Sequence, residues 1–132
     1  MKKVYFAHDR QESPEERKSY LELTGYSVSQ FDNSHDLIAA CDAEAPSLVI
    51  LDALLPGDNG FKTAAAVRVS VPPDVPIVLC TRIYKGEVFR AEAKLAGCDG
   101  FLQLPVQMGE FLACIQSVGQ LAAARAAGER AA

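Results

Sequence analysis

The sequence predicts an α/β domain built on a doubly wound, five-stranded parallel sheet with helices on both faces. Two observations predict it. Five short, almost wholly apolar segments recur along the chain, and each is followed by a segment with helix-capping residues or helical periodicity. Strands covered on both faces read as continuous apolar runs, and right-handed crossovers place the intervening helices on either side of the sheet. No internal repeat or low-complexity linker interrupts the alternation.

Val4 to Ala7, VYFA, is β-branched and aromatic and runs into a polar loop, as a buried first strand does. SPEERKSYLELTG predicts the first helix: Ser13 as N-cap, Pro14 at the first helical position, Glu16 three residues after Ser13 as in a capping box, and Gly25 as the stop. YSVSQF, residues 26–31, is the second strand. In DNSHDLIAACDAEAP, Leu37, Ile38 and Cys41 share one helical face, and Pro46 blocks further helix. SLVILD supplies the third strand, with a loop to Gly60 and a helix over FKTAAAVRV behind it. VPIVLCT, residues 75–81, is the fourth strand, followed by a helix around KGEVFRAEAKLAG. GFLQL, residues 100–104, is the fifth, and the last helix starts at about Val106. The domain is expected over residues 1–122. Residues 123–132 are Ala-rich, hence helix-prone, but short of large apolar side chains; they read as an extension that frays after Gly128, or as a linker.

A chain of 132 residues is long enough to bury a core without disulfides or metals. With 49% hydrophobic and 23% charged residues, it has the composition of an ordinary soluble globular domain. The formal net charge of -4 and the lack of any Lys/Arg run beyond two neighbours argue against a nucleic-acid ligand. Cys41, Cys80, Cys98 and Cys114 form no C-x-x-C pair and read as small core residues of a reducing cytosol. MKKVYFAHDR has too short an apolar run for a signal peptide or a membrane span, so a cytoplasmic location is expected.

Ligand sites in doubly wound sheets lie at the carboxyl ends of the strands. That rule selects Ala7 to Arg10, Asp52 to Leu54, Thr81 with Arg82, and Leu104 with Pro105, and it brings Asp9, Asp52 and Thr81 together. Each is ordinary when taken singly. Asp52 also reads as a turn-capping carboxylate, Asp9 as a loop acid, Thr81 as a strand end, and the GDNG segment at 57–60 as a turn.

Taken together and in order, an acid after strand one (FAHDR), LDALLPGDNG at strand three, VLCT at strand four and AGCDGFLQLP before the last helix are specific. The sequence resembles the receiver domain of bacterial two-component response regulators, a flavodoxin-like (βα)5 fold, over residues 1 to about 122. The resemblance implies that Asp52 accepts a phosphoryl group from a histidine kinase or phosphotransfer protein. It implies a Mg2+ ion held by Asp9, Asp52 and the carbonyl of Leu54, with Thr81 contacting the phosphate and Phe101 as the switch aromatic. A carboxylate nucleophile at a rigid strand end, with a hard cation to offset the charge, suits that chemistry.

Two positions depart from the family pattern. His8 stands where the first of two adjacent acids is usual, which predicts weakened Mg2+ binding. Leu104 stands where a Lys is usual. A cation about 4 Å from the phosphorylated carboxylate is worth up to ~4 kcal/mol at an effective dielectric of about 20, before desolvation. Arg82, beside Thr81, is the candidate replacement read from the sequence. The expected protein is a phosphorylation-gated binding module rather than an enzyme, beyond promoting its own phosphotransfer and hydrolysis. The resemblance places its partner protein, or a second copy in a homodimer, on the face around the fourth helix, fifth strand and fifth helix. The alternative is a pseudo-receiver, an interaction module that keeps the fold without the phosphoryl switch.

Overall fold

Apolar runs without a polar face can only be covered from both sides, and the strands are arranged accordingly. The structure, a computed structural model, describes residues 2–9 and 14–131. Strands β1 (Lys2–Ala7), β2 (Tyr26–Phe31), β3 (Leu48–Asp52), β4 (Ile77–Thr81) and β5 (Gly100–Gln103) form one parallel sheet in the order β2-β1-β3-β4-β5. All residues of β3 and β4 are buried. Helices α1 (Glu15–Leu23), α2 (Ser34–Ala43), α3 (Gly60–Ser70), α4 (Glu87–Leu95) and α5 (Met108–Ala131) fill the crossovers, as the sequence pattern predicts.

Alternation along the strands divides the core in two. Val4, Phe6, Leu48, Ile50, Val78 and Cys80 pack with Leu21 of α1 and Phe111, Ile115 and Val118 of α5. Tyr5, Ala7, Val49, Leu51, Ile77 and Leu79 pack with Leu37 and Cys41 of α2, Ala64 and Val67 of α3, and Ala93 of α4. Leu37 and Cys41 share the buried face of α2 as expected, with Ile38 half-buried at its margin. Gly25, with φ 94°, ends α1 as predicted, while Ser13 and Arg10 lie outside the described residues.

The segment between β3 and α3 is more ordered than the loop expected there. Leu54–Leu55 and Asp58–Asn59 pair as a short antiparallel hairpin around Gly57, whose φ of 107° favours glycine. Gly60 then approaches so closely that a Cβ would stand 2.5 Å from the Ala53 Cα, and its N–H donates to the Ala53 carbonyl at 2.7 Å. Glycine at position 60 thus lets the segment after Asp52 fold back on itself and fixes where the Leu54 backbone lies.

At the amino ends of β4 and β5 a second cluster ties the helices together. Asp99 accepts from the Ile77 N–H, forms ion pairs with Arg68 and Arg125, and is almost buried. Arg125 also donates from Nε and Nη2 to the Pro73 carbonyl, at 3.0 and 2.7 Å. The Ala-rich stretch read from the sequence as an extension or tail is part of α5 as far as Ala131. The anchor at Arg125 and the buried small side chains of Ala122 and Ala126 hold α5 against the domain up to residue 126.

The cysteines are core residues: Cys41, Cys80 and Cys98 are buried and Cys114 is half-buried, all as free thiols. Burial pushes the Cys41 thiol up to about 11 and those of Cys80 and Cys98 up to about 12, against an ordinary 9.0. Below that ordinary value the thiols are neutral in both folded and unfolded chains. Above it the unfolded chain loses protons first, so stability falls with rising pH. The thiols should leave the urea midpoint under reducing conditions unchanged below about pH 9 and lower it from there towards 12.

Candidate functional site

The direction of Asp52 follows from the pleat of β3. Leu48 and Ile50 face α1 and α5, so Asp52, two residues further on, faces the same way at the carboxyl end of the central strand. Its ladder partner is Cys80 of β4. The Asp52 side chain is 1% exposed, which for a carboxylate requires partners.

The main partner comes from α1. Arg17 donates from Nη1 to Asp52 Oδ1 at 2.6 Å and from Nη2 to Asp52 Oδ2 at 3.2 Å. The guanidinium also lies over the Phe6 ring, 4.7 Å from its centroid. Burial pushes the Arg17 pKa down, but the hydrogen bonds and charges of Asp52 and Cys80 outweigh it, and the pKa is raised. The Asp9 backbone N–H gives Asp52 Oδ2 another bond, at 3.0 Å. Sequence reading missed Arg17. The available signal was helical spacing: Pro14, Arg17 and Leu21 fall on one face of α1, and all three are buried.

Asp9 and Leu54 line one open cavity of about 400 Å³, together with Asp58. Sharing Leu54 with it, Asp52, Thr81 and Arg82 line a narrow cleft. Among the described residues, no three His, Cys, Asp or Glu side chains gather as a metal cluster. One or two carboxylates with a backbone carbonyl is nevertheless the donor set that suits a hard cation retaining several waters, and the all-oxygen character of Asp9, Asp52 and Leu54 fits it.

Thr81 is buried, and its hydroxyl oxygen accepts from the Ile83 and Tyr84 N–H groups at 3.1 and 3.2 Å. With both acceptor positions used, what the hydroxyl offers the cleft is its proton. Phe101 is half-buried on β5 beside Leu79, on the same face as Thr81, with the Arg90 guanidinium 5.7 Å from its ring centroid.

The atypical positions are placed as follows. His8 turns towards β2: Nε2 meets Gln30 Oε1 at 2.9 Å, and the ring packs edge-on against Phe6. Leu104 is buried with Phe6, Val106 and Phe111, its N–H donating to the Thr81 carbonyl at 2.8 Å, before a cis peptide bond to Pro105. Arg82 is exposed at the rim of the cleft. Among the described residues, Arg17 of α1 is a cation bonded to the Asp52 carboxylate.

The fold and this carboxylate-centred strand end are those of a phosphorelay receiver. Residues 4–116 match the family model described as "Response regulator receiver domain", and the chain belongs to that family. It is 29% identical over 100 residues to the phosphate regulon transcriptional regulatory protein PhoB of Pseudomonas aeruginosa, covering 74% of this chain and 43% of that protein. It is 32% identical over 99 residues to the probable transcriptional regulator ycf27 of Pyropia yezoensis, covering 74% of this chain and 39% of the relative. The chain thus spans less than half the length of these relatives.

Among solved structures, a CheY-like receiver domain protein from Methanospirillum hungatei superposes with a TM-score of 0.81 at 20% identity, covering 92% of this chain and 96% of that one. A response regulator from Burkholderia pseudomallei, solved with a phosphorylated aspartic acid, a calcium ion and citrate, superposes with a TM-score of 0.78 at 25% identity. That match covers 98% of this chain and 75% of the other.

Removing one member of a buried ion pair costs roughly 3–5 kcal/mol, whereas replacing both by apolar residues of similar size is often neutral. Asp52→Ala should therefore lower unfolding stability by about that much, and the double variant Arg17→Met/Asp52→Leu should recover most of it. Urea unfolding of the three proteins checks this.

Proposed function

We propose that this receiver domain accepts a phosphoryl group on Asp52 from a histidine kinase or a phosphotransfer protein. The observation that carries the reading is the position of Asp52. It stands at the carboxyl end of the central strand, with Asp9 bonded to it and Thr81 lining the same cleft. An Asp52 oxygen forms a bond to phosphorus as the donor's bond to phosphorus breaks, giving an acyl phosphate. Asp9 and the Leu54 carbonyl, with Asp52, would hold Mg2+, whose charge offsets that of the phosphoryl group. The Thr81 O–H would donate to a phosphoryl oxygen, and Phe101 would adjust on the same face of the sheet.

His8 takes no part in this set, since its Nε2 is engaged with Gln30. The readout we assign to the face of α4, β5 and α5, where Val88, Leu95 and Leu121 are exposed apolar side chains. A protein partner there, or a second copy of the chain, would be the output. Among the described residues no helix is long and apolar enough to cross a membrane.

Intact mass after incubation with Mg2+ and acetyl phosphate tests the reading. The parent should gain one phosphate and Asp52→Asn none. No gain in the parent at high donor, with Mn2+ in place of Mg2+ as well, would overturn it and leave the domain as an interaction module.

A further inference from the structure

A phosphoryl group on Asp52 brings about two negative charges to a nearly buried strand end. The cation that this family takes from the end of strand five is absent here, because Leu104 is packed into the apolar cluster of Phe6 and Phe111. Position 104 supplies no charge. What meets Asp52 is a guanidinium from the opposite direction, on α1, bound through two nitrogens to both carboxylate oxygens.

Three features suit Arg17 to hold a phosphoryl group as well as a carboxylate. Its pKa is raised, so it remains charged at any working pH. Its planar fork matches phosphate and carboxylate oxygens equally, in paired N–H to O bonds. Its plane rests against Phe6, which leaves the nitrogens aimed at the end of β3. Phosphorylation also changes what Arg17 faces. Asp52 loses its carboxylate charge on becoming an acyl phosphate, and the negative charge moves outward onto the phosphoryl oxygens. A guanidinium that is 3% exposed is held in place by charge, and the charge it is held by has moved one bond further out.

We propose that Arg17 is the phosphoryl-binding cation of this receiver: it clamps the Asp52 carboxylate in the resting state and transfers its grip to the phosphoryl oxygens on phosphorylation. The proposal rests on the reading of Asp52 as phosphoacceptor. In the resting state the clamp occupies both oxygens of the nucleophile, so one must be released before attack. With acetyl phosphate, that oxygen forms the new bond to phosphorus, the bond from phosphorus to the acetyl oxygen breaks, and acetate leaves with the electron pair. No proton is transferred. Because the clamp reaches in from α1, the position of that helix becomes coupled to the phosphorylation state.

The test compares initial phosphorylation rates, by intact mass with acetyl phosphate and Mg2+, for the parent, Arg17→Met, Arg17→Lys and Arg17→Met/Leu104→Lys. Arg17→Met should be at least tenfold slower than the parent, Arg17→Lys intermediate, and the double variant largely restored, because the second change returns a cation from β5. A rate for Arg17→Met equal to or above that of the parent would show a lock without a phosphoryl-binding role, and would overturn the proposal.

A measurement on the unmutated chain stands independently of how well the variants fold. On adding beryllium and fluoride, which form a phosphoryl analogue on aspartate, the Arg17 side-chain N–H resonances should shift and stay protected from exchange. In Asp52→Asn they should not respond. Resonances of the parent that stay unchanged, or lose protection, would also overturn it. Failure of the underlying reading looks different: the parent itself gains no phosphate and shows no response to the analogue.

Discussion

The Arg17–Asp52 pair joins the central strand of the sheet to the first helix across the inside of the domain. A carboxylate that is 1% exposed and a guanidinium that is 3% exposed are each too costly to bury alone, so the position of either depends on the other. The register of β3 against β4, the roll of α1 over Phe6 and the placing of the Asp9 backbone all meet at this contact.

The site is built by rigid backbone on one side and by this adaptable pair on the other. Gly60 draws the segment after Asp52 into a tight return, and the hairpin around Gly57 holds Leu54 beside the cavity that Asp9 lines. Thr81 spends the acceptor capacity of its hydroxyl on the following loop, which leaves its proton as the group it can offer. Those features correspond to the receiver pattern. Two features stand apart from it: Leu104 joins the core, and α1 brings a guanidinium to the Asp52 carboxylate. The far end of the sheet shows the same economy of charge, with Asp99 collecting Arg68 and Arg125 to pin α5.

The alternation of elements, the strand limits at 26–31 and the end of α1 at Gly25 were legible in the sequence, because they depend on local periodicity and on glycine's access to positive φ. So was the convergence of Asp9, Asp52 and Thr81, which follows from the rule that parallel strands present their carboxyl ends to one edge. The hairpin at 54–59 was not, since its two-residue strands are too short to carry a period. Nor was the anchoring of α5 by Arg125, which reaches Pro73 and Asp99 across the fold.

What the sequence by itself determined was the class of fold, the family and the strand end at which the chemistry belongs. What only the tertiary structure decided is that Arg17 pairs with the Asp52 carboxylate. Sequence proximity to Thr81 drew attention to Arg82, which is exposed in the loop beyond β4 at the rim of the cleft. A residue 35 positions away, Arg17, lies closer because alternation along β3 and the helical period of α1 direct both side chains into the same layer. Whether a charge is buried or solvated is a property of that layer, and no local segment of the chain contains it.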